Sequence, residues 1–210
     1  MGRAIRRVVV LGASGTVGSL TGGLIAQSGC TVYFLSRTPD GAKRGLEKAI
    51  AQARSEVIGR NVICGDYSNH LEPALAKADW VIEAIAEDID TKRDMYTRIE
   101  PLLNDSTLIS STTSSLPLTL LAHGRSATFQ RRFLGTHFYN PPGRMLACET
   151  TGHDGTDLDL LADMNRFLVT TLGRQVVPVE NVAAFAGNRI AFLIFARAVS
   201  LAQELGVVTC

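Results

Sequence analysis

Residues 8–19 read VVVLGASGTVGS. Val8, Val9, Val10 and Leu11 form an apolar, mostly β-branched run of the kind that fills a strand covered on both faces. Gly12 cuts the run, and an apolar helical pattern sets in over 17–28. Gly12, Gly15 and Gly18 therefore punctuate a strand–turn–helix unit. A turn stripped of side chains lets the backbone N–H groups around Ser14, Gly15, Thr16 and Val17 approach an anion, and the helix N-terminus adds roughly half a positive charge there. The spacing, G-x-x-G-x-x-G, is one residue longer than the usual dinucleotide fingerprint.

The next strand pattern is TVYFLSRT, residues 31–38. In a dinucleotide-binding unit the end of this strand normally offers an Asp or Glu to the ribose hydroxyls of NAD. Here the positions hold Ser36, Arg37 and Thr38. A carboxylate would repel a 2′-phosphate, whereas a small hydroxyl followed by a guanidinium gives it room, a donor and a fixed charge. NADP(H) is thus the expected cofactor in preference to NAD(H), with these three residues at the adenosine ribose. The alternative is a solvated Arg37, with NAD held by other groups.

Apolar runs alternate with helical patterns along most of the chain. After the strand over 31–35, a helix is expected over 40–57, a strand over 61–65, a short helix over 71–77 and a strand over 79–85. A helix over 90–103, a strand over 107–111 and a helix over 117–123 follow, then strands over 132–137 and 145–150. A helix over 157–172 and a strand over 174–179 complete the series. Such alternation predicts an α/β fold, a Rossmann-type doubly wound and mostly parallel sheet. From Ala183 to Leu205 the pattern changes to one helix, apolar nearly all round. Such a helix needs burial on several sides. The expected division is a dinucleotide-binding domain over 1–182 and, over 183–210, the first helix of a truncated all-α domain. The surface covering that helix is expected in a missing C-terminal region or on another subunit.

A formal net charge of +1 gives no reason to expect a nucleic acid or a membrane surface as partner. The four cysteines, Cys30, Cys64, Cys148 and Cys210, are too widely spaced to signal a metal site or a disulfide framework. No metal is expected, and reduced thiols fit a cytoplasmic protein. The start, MGRAIRRVVVLGASG, lacks the long apolar region and cleavage site of a signal peptide.

Four further stretches carry chemistry: DWVIEAIAEDIDTK (79–92), STTSSL (111–116), GTHFYNPPGRMLACE (135–149) and FAGNR (185–189). Together and in this order they resemble the 3-hydroxyacyl-CoA dehydrogenase family. Oxidising a secondary alcohol needs a base for the hydroxyl proton, and imidazole is suited because it titrates near neutrality. His137 closes one predicted strand and Glu149 the next, so the carboxylate could orient the ring and stabilise its charged form. Ser114 and Asn188 could hydrogen-bond the reacting oxygen. The resemblance implies these same roles for the four positions. It also implies that Glu87 and Lys92, beside Ala84 and Ile85 at the end of their strand, lie near the cofactor. Their alternative is an exposed pair at a helix start, as Ser114 could simply cap the helix near Pro117. His70, His123 and His153 are read as structural or solvated, and Asn140 and Pro141 as shaping the turn after His137.

Departures from the family pattern leave the substrate open. Thr112 stands where the family has an Asn, and the segment between the second and third strands has room for only one helix where the family carries a longer arm touching CoA. The family's helical C-terminal domain, which makes its dimer, is mostly absent. The implied reaction is hydride exchange between a nicotinamide cofactor and C3 of a 3-hydroxyacyl thioester, on CoA or on a carrier protein, by a homodimer when full-length. The alternatives are a dehydrogenase of a free hydroxy acid and a non-catalytic NAD(P)-binding module.

Overall fold

The valine run forms strand β1 (Arg7–Leu11), with Val8, Val9, Val10 and Leu11 all buried. It pairs in parallel with β2 (Thr31–Ser36) on one side and β4 (Trp80–Glu83) on the other. In the computed structural model, which describes residues 4–206, strands β3 (Val62–Asp66), β5 (Leu108–Ser111), β6 (Phe133–Phe138), β7 (Ala147–Thr151) and β8 (Gln175–Pro178) complete one sheet. Its order is β3-β2-β1-β4-β5-β6-β7-β8. Strand order reverses at β1, so a crevice opens beyond the carboxyl ends of β1 and β4, where open α/β sheets take ligands.

Alternation along each strand feeds two core layers. Val8 and Val10 face Ile25 of α1 (Thr16–Gln27), Ala42 of α2 (Pro39–Ala53) and Met164 of α7 (Leu158–Thr170). Val9 and Leu11 face Leu71 of α3 (Leu71–Leu75), Tyr96 of α4 (Ile89–Ile99), Leu118 of α5 (Leu118–Ala122) and Phe129 of α6 (Ala127–Arg132). Each fully buried Val or Leu contributes about 1.5–3 kcal/mol relative to exposure. The doubly wound, mostly parallel expectation is what the chain adopts.

Several local details differ from the sequence pattern. Strand β7 runs antiparallel to β6, which makes the two a hairpin and faces His137 with Glu149 across the ladder. Helix α2 stops at Ala53 because Arg54 takes a left-handed conformation (φ 51), and a 3-10 turn over Glu56–Asn61 follows. Helix α6 was not foreseen; it is too short to show a period and is started by Ser126, whose hydroxyl accepts from Phe129 N. The last helix, α8 (Gly187–Glu204), begins four residues later than its apolar pattern suggests. Ala184 (φ 64) and Phe185 (φ 43) turn the chain through left-handed backbone first.

Helix α8 has no buried residue, and Leu193 is 72% exposed. Its apolar side chains are thus uncovered among the described residues. Among the described residues no helix is long and apolar enough to cross a membrane.

Candidate active site

A cavity of about 830 Å³ lies in the crevice beyond β1, β2, β4 and β5. Gly12, Ser14, Gly15, Thr16, Val17, Ser36, Arg37, Ala84, Ile85, Glu87 and Ser114 all line it. Gly12 makes the turn possible: its φ is +88°, and a Cβ there would fall 2.4 Å from the Ala84 carbonyl oxygen. No side chain caps α1, whose N-cap is Gly15. The first bonded amide is Ser19 N, which donates to the Gly15 carbonyl at 3.0 Å. The N–H groups of Thr16, Val17 and Gly18 are left without helix partners, a donor set that fits a pyrophosphate.

Gly18 does not line the cavity; it packs against the Gly12 carbonyl, where a Cβ would come within 2.7 Å. Thr38 does not line it either, because it caps α2 by accepting from Gly41 N at 3.1 Å. Ser36, expected to give a donor to the ribose, is buried and donates to the Thr38 carbonyl at 2.6 Å. The donor expected of Ser36 is therefore engaged, and the expected fixed charge is that of Arg37. Among the described residues Arg37 has no hydrogen-bond or ion-pair partner, and it lines the cavity.

The loops at the middle of the cavity are tied by buried charges. Glu83 Oε1 accepts from Ile85 N at 2.9 Å and Lys92 Nζ at 2.6 Å. Its Oε2 accepts from Tyr96 and Ser111 hydroxyls, each at 2.7 Å. Lys92 is buried, not exposed, does not line the cavity, and also reaches Glu87 at 3.3 Å. Glu87 Oε1 in turn accepts from the Thr113 hydroxyl at 2.6 Å, Ser114 N at 2.9 Å and the Ser115 hydroxyl at 2.8 Å. Burial alone would push the Glu87 carboxyl up, but these hydrogen bonds and the Lys92 ammonium hold it below its ordinary value. Glu87 thereby fixes the loop that carries Ser114. Glu83 and Lys92, both buried, are tolerable there because they are paired and hydrogen-bonded.

The chemical end lies on the β6–β7 hairpin. His137 and Glu149 are opposite one another in the ladder, and His137 Nδ1 is 2.7 Å from Glu149 Oε2. The ring lies between Tyr139 and Phe185, with centroids 5.3 and 6.0 Å away. Glu149 is buried, and its second oxygen accepts from Ala186 N at 3.1 Å and Gly187 N at 2.8 Å. With Nδ1–H donated to the carboxylate, Nε2 is left as the basic nitrogen. Burial and then the Glu149 carboxylate push the Tyr139 phenol up, so it stays neutral beside the pair. Asn188 Nδ2 donates to the Ser114 carbonyl at 3.2 Å, which joins the start of α8 to the cavity wall. The four candidate catalytic residues thus form two linked pairs, and Ser114 is the member shared with the cavity.

The cavity also takes in Tyr67, Ala86, Thr91, Met95 and Thr112, which the sequence reading left out of the site. Tyr67 follows β3 at the carboxyl edge of the sheet, the edge where such folds bind ligands, and that position was its available signal. Glu83 was likewise visible as a lone acid inside the apolar run VIEAI. His70 lies 3.7 Å from Asp66, and His153 contacts the Gln130 carbonyl at 3.1 Å, both structural arrangements.

The family model described as "3-hydroxyacyl-CoA dehydrogenase, NAD binding domain" matches residues 7–182. A protein of Deinococcus radiodurans named "Probable 3-hydroxyacyl-CoA dehydrogenase" is 33% identical over 214 residues, covering 97% of this chain and 61% of its own length. A 5-formyl-3-hydroxy-2-methylpyridine 4-carboxylate 5-dehydrogenase of Mesorhizobium japonicum is 28% identical over 208 residues, with 95% of this chain and 66% of that protein covered. The solved structure of a 3-hydroxyacyl-CoA dehydrogenase from Archaeoglobus fulgidus superposes with a TM-score of 0.78 at 27% identity, over 95% of this chain and 64% of that one. The chain thus spans about three-fifths to two-thirds of the length of these relatives. It belongs to the 3-hydroxyacyl-CoA dehydrogenase family, of which it carries the NAD binding domain.

Proposed function

We propose that this chain supplies the cofactor site and the acid–base pair of an NAD(P)-dependent dehydrogenase acting at C3 of 3-hydroxyacyl thioesters. The observation that carries the reading is the His137–Glu149 contact of 2.7 Å, held by the opening of α8 and linked through Asn188 and Ser114 to a dinucleotide-sized cavity. The nicotinamide, when bound, supplies the hydride acceptor or donor. His137 Nε2 takes the hydroxyl proton as the alcohol is oxidised, and returns it in reduction. Glu149 holds the ring in that tautomer and offsets its positive charge. In this reading Ser114 and Asn188 hydrogen-bond the oxygen as it becomes a carbonyl.

The exposed, unpaired Arg37 and the missing acid after β2 support a preference for NADP(H). Residues 1–182 are read as the dinucleotide-binding domain and 183–210 as the opening of a helical one, supported by the extent of the family match and by the bare apolar face of α8. A homodimer formed through that helical part is the expected assembly. The unpaired thiols of Cys30, Cys64 and Cys148 fit a reducing cytoplasm.

The test is oxidation of 3-hydroxybutyryl-CoA and reduction of acetoacetyl-CoA by the protein with each nicotinamide cofactor. Turnover with both partners is expected. Tight cofactor binding without turnover on any thioester or free acid would overturn the reading in favour of a binding module. A second substrate class, free acids such as hydroxy acids, is supported by the relative whose name specifies a free pyridine carboxylate and no thioester. Turnover on free hydroxy acids with none on the CoA esters would select it.

A further inference from the structure

Tyr67 leaves β3 at the carboxyl edge of the sheet and is tied there from three sides. Its N–H donates to the Ser36 carbonyl at 3.1 Å, and its own carbonyl accepts from the Arg98 guanidinium at 2.6 Å. That guanidinium also sits over the ring, 5.9 Å from its centroid. The side chain is thus directed at the glycine turn, and its hydroxyl accepts the Gly12 N–H at 2.9 Å. The ring lines the same cavity as Arg37 and the start of α1.

A phenol carries one donor and two lone pairs. Gly12 uses one lone pair, while the O–H proton has no acceptor among the described residues. Nor does Gly12 depend on the phenol, because its N–H also donates to the Leu35 carbonyl at 3.0 Å. Removing the hydroxyl therefore orphans nothing in the protein. What it removes is a free donor at the mouth of the glycine turn, between the β2 end and the α1 amides. Burial pushes this phenol up from its ordinary value, so it keeps its proton throughout the neutral range.

We propose that Tyr67 is a cofactor-binding residue, whose hydroxyl donates to an oxygen of the adenosine diphosphate half of the dinucleotide, on the pyrophosphate or the adjoining ribose. The inference rests on the dinucleotide reading of the cavity. It adds a phenolic donor to the backbone amides of the turn and the Arg37 guanidinium.

The test is Tyr67→Phe, titrated by fluorescence with NADH and with NADPH. Both affinities should fall by about 10-fold, the range of one lost hydrogen bond to a charged or strongly polar acceptor. Their ratio should hold, because Arg37 and not Tyr67 reads the 2′-phosphate. The melting temperature without ligand should stay at the wild-type value. Competition with ADP and with adenosine then locates the contact: a loss for ADP alone places it on phosphate, and equal losses place it on ribose. Wild-type affinity for both cofactors in the variant would overturn the proposal. So would a fall in ligand-free melting temperature that accounts for the lost affinity, which would make Tyr67 a strut for the turn. Failure of the dinucleotide reading itself looks different, since the wild-type protein would then bind neither cofactor.

Discussion

At the nucleotide end of the site the glycine turn works through backbone amides, a left-handed glycine and empty space, with the side chains of Arg37 and Tyr67 at its edge. At the chemical end they are side chains, each held by at least one partner: His137 by Glu149, Glu149 by two α8 amides, Asn188 by the Ser114 carbonyl. The turn is damaged by adding atoms and the chemical end by taking them away. The difference follows from what each must hold. A pyrophosphate needs close approach and a diffuse positive field, which a bare turn gives. A proton transfer needs one nitrogen in one tautomer at one place, which only a locked side chain gives.

That contrast predicts where substitutions act. His137→Gln should lower turnover by about 10³-fold, within the usual contribution of a general acid–base group, and leave NADPH affinity unchanged. Undiminished turnover would take the chemistry away from the hairpin. Gly12→Ala should do the opposite, because its Cβ would meet Ala84 O at 2.4 Å in a backbone that disfavours any side chain. A stability loss of about 3 kcal/mol or more in urea unfolding is expected, with cofactor binding lost as well. Glu149→Gln keeps shape but removes a charge, and roughly 10- to 100-fold in turnover should go with it at constant cofactor affinity. If cofactor affinity fell in step with turnover, the two ends would not be separable. Arg37→Ala should cost about 10-fold in NADPH affinity and little in NADH affinity, read by side-by-side titration. Equal small losses for both cofactors would return Arg37 to the role of a solvated cation.

Most of the architecture was legible because it rests on local rules. The β1 valines, the glycines at 12, 15 and 18 and the alternation of runs need only strand and helix periods to be read. The direction of β7 was not legible, since an apolar run carries no sign of its orientation in a sheet. Yet the hairpin is what sets His137 against Glu149. Helix α6 has too few residues to show a period. At the site, the glycine turn and Arg37 could be read from spacing, and the His, Glu, Ser and Asn set from resemblance. Ser36 lines the cavity as its position suggested, but a hydroxyl in a sequence has no stated partner, and here its hydrogen bond goes to the Thr38 carbonyl. Lys92 reads as a neighbour of the cofactor beside Glu87, but not as the partner of Glu83, an acid within an apolar strand that draws it beneath the loop. Such a pairing depends on side chains nine residues apart converging in space, which one-dimensional reading does not contain.

Glu149 leans on the first amides of α8, and Asn188 in that helix's first turn holds the Ser114 loop. The helix is therefore a lever whose short arm is the acid–base pair and whose long arm is an apolar rod standing clear of the sheet. A load that tilts the rod would bear on Glu149 Oε1 and the Ser114 carbonyl, the two acceptors that the start of the helix holds. Whatever packs on the far face of α8 would then bear on how the base is aimed without touching the substrate.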